Sequence, residues 1–173
     1  MFRSFYPDEA SQAVTALNFD LENVVNYSNI HFLKLNFDKS VAVIFGNKVG
    51  RQRFIDQYSE QIVIQEHNIK FNSVVKNLGL YIDNDLRFTT HINKCVQTAY
   101  CNLKSIYQNR QILNRNVKSM LCDSLVLSHF NYCDGVYGPC LTNLDAQRIQ
   151  RVQKFLSKTN FWHKKTRPYQ SQN

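Results

Sequence analysis

Apolar residues recur every three or four positions across residues 8–29. Ala10, Ala13, Leu17, Leu21 and Val24 share one face of the helix this predicts. Pro7 and Asp8 open it, and the early Asp8-Glu9 pair suits the positive end of a helix. The period then changes. Phe32, Leu33 and Leu35 predict a short strand, "NFDK" a turn, and "SVAVIFG" a buried β-branched strand that Gly46 ends. Residues 47–59 are polar and basic, a loop or short helix. "QIVIQEHNIKF" alternates at Ile62 and Ile64 and reads as a hairpin that turns at His67-Asn68. "VVKNLGLYID" predicts another strand, and "DNDLRF" the turn out of it.

Helical spacing returns after Phe88. Thr89 or Thr90 is the expected N-cap of a long helix to Tyr107, with Ile92, Val96, Ala99, Leu103 and Ile106 inward. A second helix is expected from Asn114 to Phe130, with Val117, Leu121, Leu125 and Val126 inward. "NYCDGVYGPCL" is a compact aromatic loop. Thr142 and Asp145 form a capping box for a third helix, whose apolar positions are Leu144, Ile149, Val152, Phe155 and Leu156. Strands cluster early and helices late, which predicts an α+β chain: strands and one helix over 1–88, a helical lobe over 89–158 and a basic tail over 159–173.

Charge sharpens that division. Residues 1–90 hold nine Lys/Arg and ten Asp/Glu, whereas residues 91–173 hold twelve Lys/Arg and three Asp. A near-neutral half followed by a half of net charge +9 points to a polyanion-facing C-terminal lobe. Lys94, Lys104, Arg110, Arg115 and Lys118 fall on the first two helices of the lobe or their junction. Arg148, Arg151, Lys154 and Lys158 repeat at three- and four-residue spacing on the third. These are the candidate phosphate contacts. Tyr132, Tyr137 and Trp162 are candidates for base stacking, with packing the stronger expectation for the two tyrosines.

No apolar run approaches the ~18 residues of a membrane span, and "MFRSFYPDEAS" has no secretory h-region, so an intracellular protein without membrane contact is expected. The five cysteines include no Cys-x-x-Cys pair and read as free thiols, not a zinc site. His91 and His129 read as structural.

"LGLYIDNDLRF" contains Tyr81, Ile82, Asp83 and, two places on, Asp85, close to the Tyr-x-Asp-Asp turn of reverse transcriptases. Two-metal nucleotidyl transfer needs converging carboxylates about 3.5–4 Å from one metal site to the next. Asp83 and Asp85 flank a turn-forming Asn84, and no strand end supplies a third aspartate; Asp38 falls in a turn, and Asp8 and Asp20 in the first helix. The pattern reads as a turn leading into a helix.

Three motifs in order resemble the reverse transcriptase of jockey-like non-long-terminal-repeat retrotransposons. They are Leu35-Asn36 with Lys39-Ser40; the Leu78-Gly79 block with Asp83, Leu86, Phe88, His91 and Ile92; and "SHFNYCDGVYGPCLTNLDAQRIQRVQ". The resemblance runs from Pro7 to Phe155, with Phe37 and Tyr27 standing where the family usually has proline and tryptophan. It implies a partial palm of helix, antiparallel strands and primer-grip hairpin, followed by a three-helix thumb-like lobe. It further implies that Leu78, Gly79 and Leu80 are the primer grip and that Lys39 is an accessory lysine near departing phosphate. The catalytic aspartates, which hold Mg²⁺ in the full-length family, would lie upstream of Met1. The expected function is therefore a fragment of an RNA-directed DNA polymerase, inactive alone, with no cofactor in this chain and a primer–template duplex as partner. The missing fingers and upper palm would be its natural intramolecular partner, and the nucleus its place if retrotransposon function persists. The alternatives are a non-enzymatic nucleic-acid-binding module and a protein-interaction remnant of a degraded element.

Overall fold

The helical periods dominate the architecture. The computed structural model describes residues 1–158, so Trp162 and the tail 159–173 lie outside the described residues. The fold is α+β, and it divides into two compact units, Met1–Val75 and a second that begins at Lys76.

In the first unit a 3₁₀ turn at Pro7–Glu9 runs into α1, Ala10–Ile30. Ala10, Ala13, Val14 and Val25 are buried, but Val24, expected inward, is 42% exposed. Val25 takes the inward place near the end of the helix, together with Ser28. The strand expected at Phe32, Leu33 and Leu35 is absent. The end of α1 uses those residues instead: Phe32 adopts φ 54°, its N–H bonds the Asn29 carbonyl, and the Leu33 N–H bonds the Ser28 carbonyl at 2.8 Å. This is a Schellman closure with phenylalanine in the left-handed position usually held by glycine.

A 3₁₀ turn at Phe37–Lys39 comes next, capped by the Asn36 side chain. The predicted buried strand shrinks to β1, Val41–Ala42; Val41 and Phe45 are exposed. β1 has one partner, β4 (Lys70–Phe71), and the ladder is parallel, not antiparallel as expected. Residues 47–59 resolve into α2, Lys48–Tyr58, because Asn47 caps the Gly50 N–H at 2.7 Å and Phe54 is buried. β2 (Val63–Ile64) and β3 (His67–Asn68) form the expected hairpin, but its turn is Gln65-Glu66, both at positive φ, and His67 and Asn68 are the second strand. The core of this unit is small. Ala10, Val14, Phe54 and Ile62 are enclosed, with Phe5, Leu17, Leu21, Ile44 and Phe71 at its margin.

The second unit opens with β5 (Val74–Asn77), paired with β6 (Leu80–Asp83); the unit boundary falls inside β5. "VVKNLGLYID" is thus two strands around Leu78-Gly79. Leu80 and Ile82 pack into the core of the later helices, so the hairpin, expected to belong with residues 1–88, packs with the helical lobe.

α3 spans Thr89–Gln108 and buries all five expected positions, together with His91 and Cys95. Neither Thr89 nor Thr90 caps it. Phe88 holds the cap position at φ 55° with its ring 4% exposed, so burial of that ring overrides a hydroxyl cap.

The second predicted helix is continuous in sequence but not in winding. α4 (Arg115–Cys122) passes into a π-helical turn, Asp123–Leu127, then α5 (Ser128–Asn131). The wide turn rotates the residues beyond it about the helix axis. Leu125, expected inward, is 43% exposed, while Cys122, Val126, Leu127 and Phe130 are buried. Short α6 (Asp134–Tyr137) and a 3₁₀ turn at Gly138–Cys140 form the aromatic connection. α7 spans Asn143–Lys158, and Thr142 Oγ1 accepts from the Asp145 N–H at 3.2 Å while donating to its carboxylate at 2.7 Å. Ile149, Val152 and Leu156 are inward. Leu144 and Phe155 are not; Asp145 and Ala146 take the buried places at the start of the helix.

Candidate nucleic-acid interface

The hairpin tip is fixed by the helical lobe behind it. Leu78 and Gly79 have φ of 47° and 91°, the signs of a two-residue turn between right-twisted strands. The Tyr132 hydroxyl donates to the Leu78 carbonyl, and a Cβ on Gly79 would sit 3.4 Å from the Tyr132 ring. A Cβ there would meet the chain's own tyrosine at ordinary van der Waals distance, so the positive φ and not lack of space asks for glycine. Leu78 projects from the tip, 86% exposed, whereas Leu80 is buried. The three residues of the predicted primer grip thus divide into an exposed tip, a packed turn and a core anchor. Lys76 beside them lies 5.5 Å from the centroid of the Tyr81 ring.

Asp83 is a turn residue. Its carboxylate accepts from the Arg87 N–H at 2.8 Å and its carbonyl from the Leu86 N–H at 3.0 Å, which leads the chain into α3. Among the described residues no three His, Cys, Asp or Glu side chains converge. Lys39 belongs to the first unit. Its backbone is held by Asn36 at 3.1 Å and its side chain is exposed.

The basic residues separate by environment. Lys94, Lys104 and Arg115 are exposed, and Lys118 is half-buried. Arg110 is engaged: it donates to the Tyr107 carbonyl at 3.0 Å, and its guanidinium lies 4.2 Å from the Tyr107 ring centroid. On α7, Arg148 is held at the flank by Asn93 Oδ1 at 2.6 Å and Asp145 at 3.2 Å. Arg151 and Lys154 are exposed, on the side away from Ile149, Val152 and Leu156. The side chain of Lys158 lies outside the described residues. The stripe read on α7 is therefore two outward cations and one committed to structure.

Of the stacking candidates, Tyr137 is fully buried and its hydroxyl donates to the Phe130 carbonyl, while Tyr132 serves the hairpin. Sequence reasoning passed over Tyr100 and Tyr107, which the structure leaves 46% and 45% exposed on α3. Their seven-residue spacing, off the apolar face, was the available signal.

His91 is buried with its Nε2 3.4 Å from Cys95 Sγ and its ring 5.0 Å from that of Tyr137. Burial lowers its pKa and raises that of Cys95 to about 11, so the pair is neutral and enclosed. That is a core contact, not an activated nucleophile. The thiols are all free: Cys95 and Cys122 are buried, Cys133 is half-buried, and Cys101 and Cys140 are exposed. Among the described residues no helix is long and apolar enough to cross a membrane. Comparison with known proteins finds no matching family model, no matching curated protein and no matching solved structure.

Proposed function

We propose that this chain holds primed nucleic acid, as the palm-end and thumb portion of a reverse transcriptase of the jockey-like retrotransposon type. The observation that carries the reading is the hairpin tip pinned by Tyr132 to a lobe whose outward cations include Lys94, Lys104, Arg115, Arg151 and Lys154. A pinned tip on a lobe that carries outward cations suits a primer end and its phosphate backbone, held without reading sequence. The role assigned is holding and not nucleotide joining, since Asp83 serves the turn before α3.

Titration of a labelled primer–template duplex at two salt concentrations tests this. Affinity is expected to fall with salt, and Arg151→Gln or Lys154→Gln to reduce the logarithmic slope by about 0.9 each. Undetectable or salt-independent binding rejects the reading. Deoxynucleotide incorporation by the pure chain with Mg²⁺ rejects the restriction to holding.

A second reading, a protein-interaction module, is favoured by one observation. Phe19, Tyr27 and Ile30 are exposed on the side of α1 away from its buried face, next to exposed Phe32 and Leu33. Size-exclusion chromatography discriminates, because a clean monomer speaks against an apolar face that needs cover.

A further inference from the structure

The polar side of α3 has an order of its own. Asn93, Tyr100, Lys104 and Tyr107 lie at successive spacings of seven, four and three residues, which aligns them on one face of the helix. All four are exposed. The inward face is already filled by Ile92, Val96, Ala99, Leu103 and Ile106, so the two tyrosines are not spare core. They stand about 10 Å apart along the axis, with Lys104 between them. At the far end the Arg110 guanidinium lies over Tyr107. The local sequence has one sign: residues 86–122 contain six Lys/Arg and no Asp or Glu.

We infer that this face of α3 is a stacking track for an unpaired nucleic-acid strand. Tyr100 receives one base, Tyr107 receives another on the ring face opposite the Arg110 guanidinium, and Lys104 faces the phosphates between them. The inference rests on the proposed nucleic-acid role and adds a second mode to it. Base faces are open to side chains only where a strand is unpaired; a duplex offers its phosphates and groove edges instead. Poly-glutamate can satisfy the cations but brings no aromatic group to stack on the two rings.

The test measures anisotropy of a short single-stranded oligonucleotide and of a duplex of equal phosphate number. Tyr100→Ala and Tyr107→Ala are each expected to weaken single-strand binding by about 5- to 150-fold, with duplex binding unchanged. Tyr100→Phe and Tyr107→Phe are expected to keep both. Photocrosslinking of a halouracil-substituted strand to the unaltered chain, mapped by peptide mass, is a check that needs no variant; crosslinks are expected at Tyr100 and Tyr107. Alanine variants that bind single strand like the parent, or crosslinks confined to other elements, overturn the track and leave the duplex reading standing. So does tyrosine-dependent binding of poly-glutamate as tight as that of the oligonucleotide. Failure of the parent chain to bind either nucleic acid overturns both readings.

Discussion

His91 is the residue whose environment makes the clearest demand on solution conditions. Its neighbours Cys95, Tyr137 and Tyr81 supply no anion, and burial holds its pKa below the ordinary 6.5. The unfolded chain therefore takes up this proton more readily than the folded one. Stability from this site is complete above the unfolded value and is lost as pH falls below it. Urea midpoints taken from about pH 8 to about pH 5 should fall for the parent chain and fall less for His91→Gln; equal slopes would remove His91 as the cause. Leu78 makes a different demand. A leucine at φ 47° on an exposed tip is conformationally costly, and asparagine tolerates that region better. Leu78→Asn is expected to raise stability by about 0.5–1 kcal/mol, and under the proposed function to weaken primer–template binding. Gly79→Ala should destabilise by about 1 kcal/mol or more, because the position has φ 91°, which a side chain strains. Chemical denaturation measures both.

Among the elements, helices were legible and ladders were not. Ile92, Val96, Ala99, Leu103 and Ile106 read correctly because α3 turns one continuous apolar face to one core. Among the described residues, four of the six strands are only two residues long, too short to display an alternating pattern. The Gln65-Glu66 turn carries no glycine, asparagine or aspartate to announce it. Nor did the sequence reveal the π turn, since a 3.6-residue template assigns Leu125 inward without knowing that one residue is spare. Its support comes from elsewhere in the chain: Asn102 on α3 donates to the Leu125 carbonyl at 2.6 Å, while Ser124 and Ser128 bond back to Met120 and Ser124. Asn102→Ala should cost about 1–2 kcal/mol and speed amide exchange around residues 123–128. Loss of stability without a local change in exchange would place the effect outside the π turn. In the candidate site, the basic side chains were legible as a class. Which were already engaged, Arg110 by Tyr107 and Arg148 by Asn93 and Asp145, was not, because those partners depend on the packed helices.

At the scale of the molecule, each unit has its own core, and the cores are unequal. The first encloses Ala10, Val14, Phe54 and Ile62; the second encloses seventeen residues from Leu80 to Leu156. Hydrogen exchange measured by mass spectrometry should accordingly find peptides from Ile92–Ile106 among the slowest and those from Ala10–Val25 markedly faster. Comparable rates would show that enclosure does not set protection here. The charge asymmetry of the chain obeys the same division, with the larger core carrying the basic exterior. The single widened turn at Asp123–Leu127 also fixes the phase of everything wound after it. Winding the same residues at regular α-helical pitch would swing Phe130 and Tyr132 round by about 100°. One would leave its socket and the other would release the Leu78 carbonyl, so the pitch of one turn fastens a hairpin more than forty positions upstream.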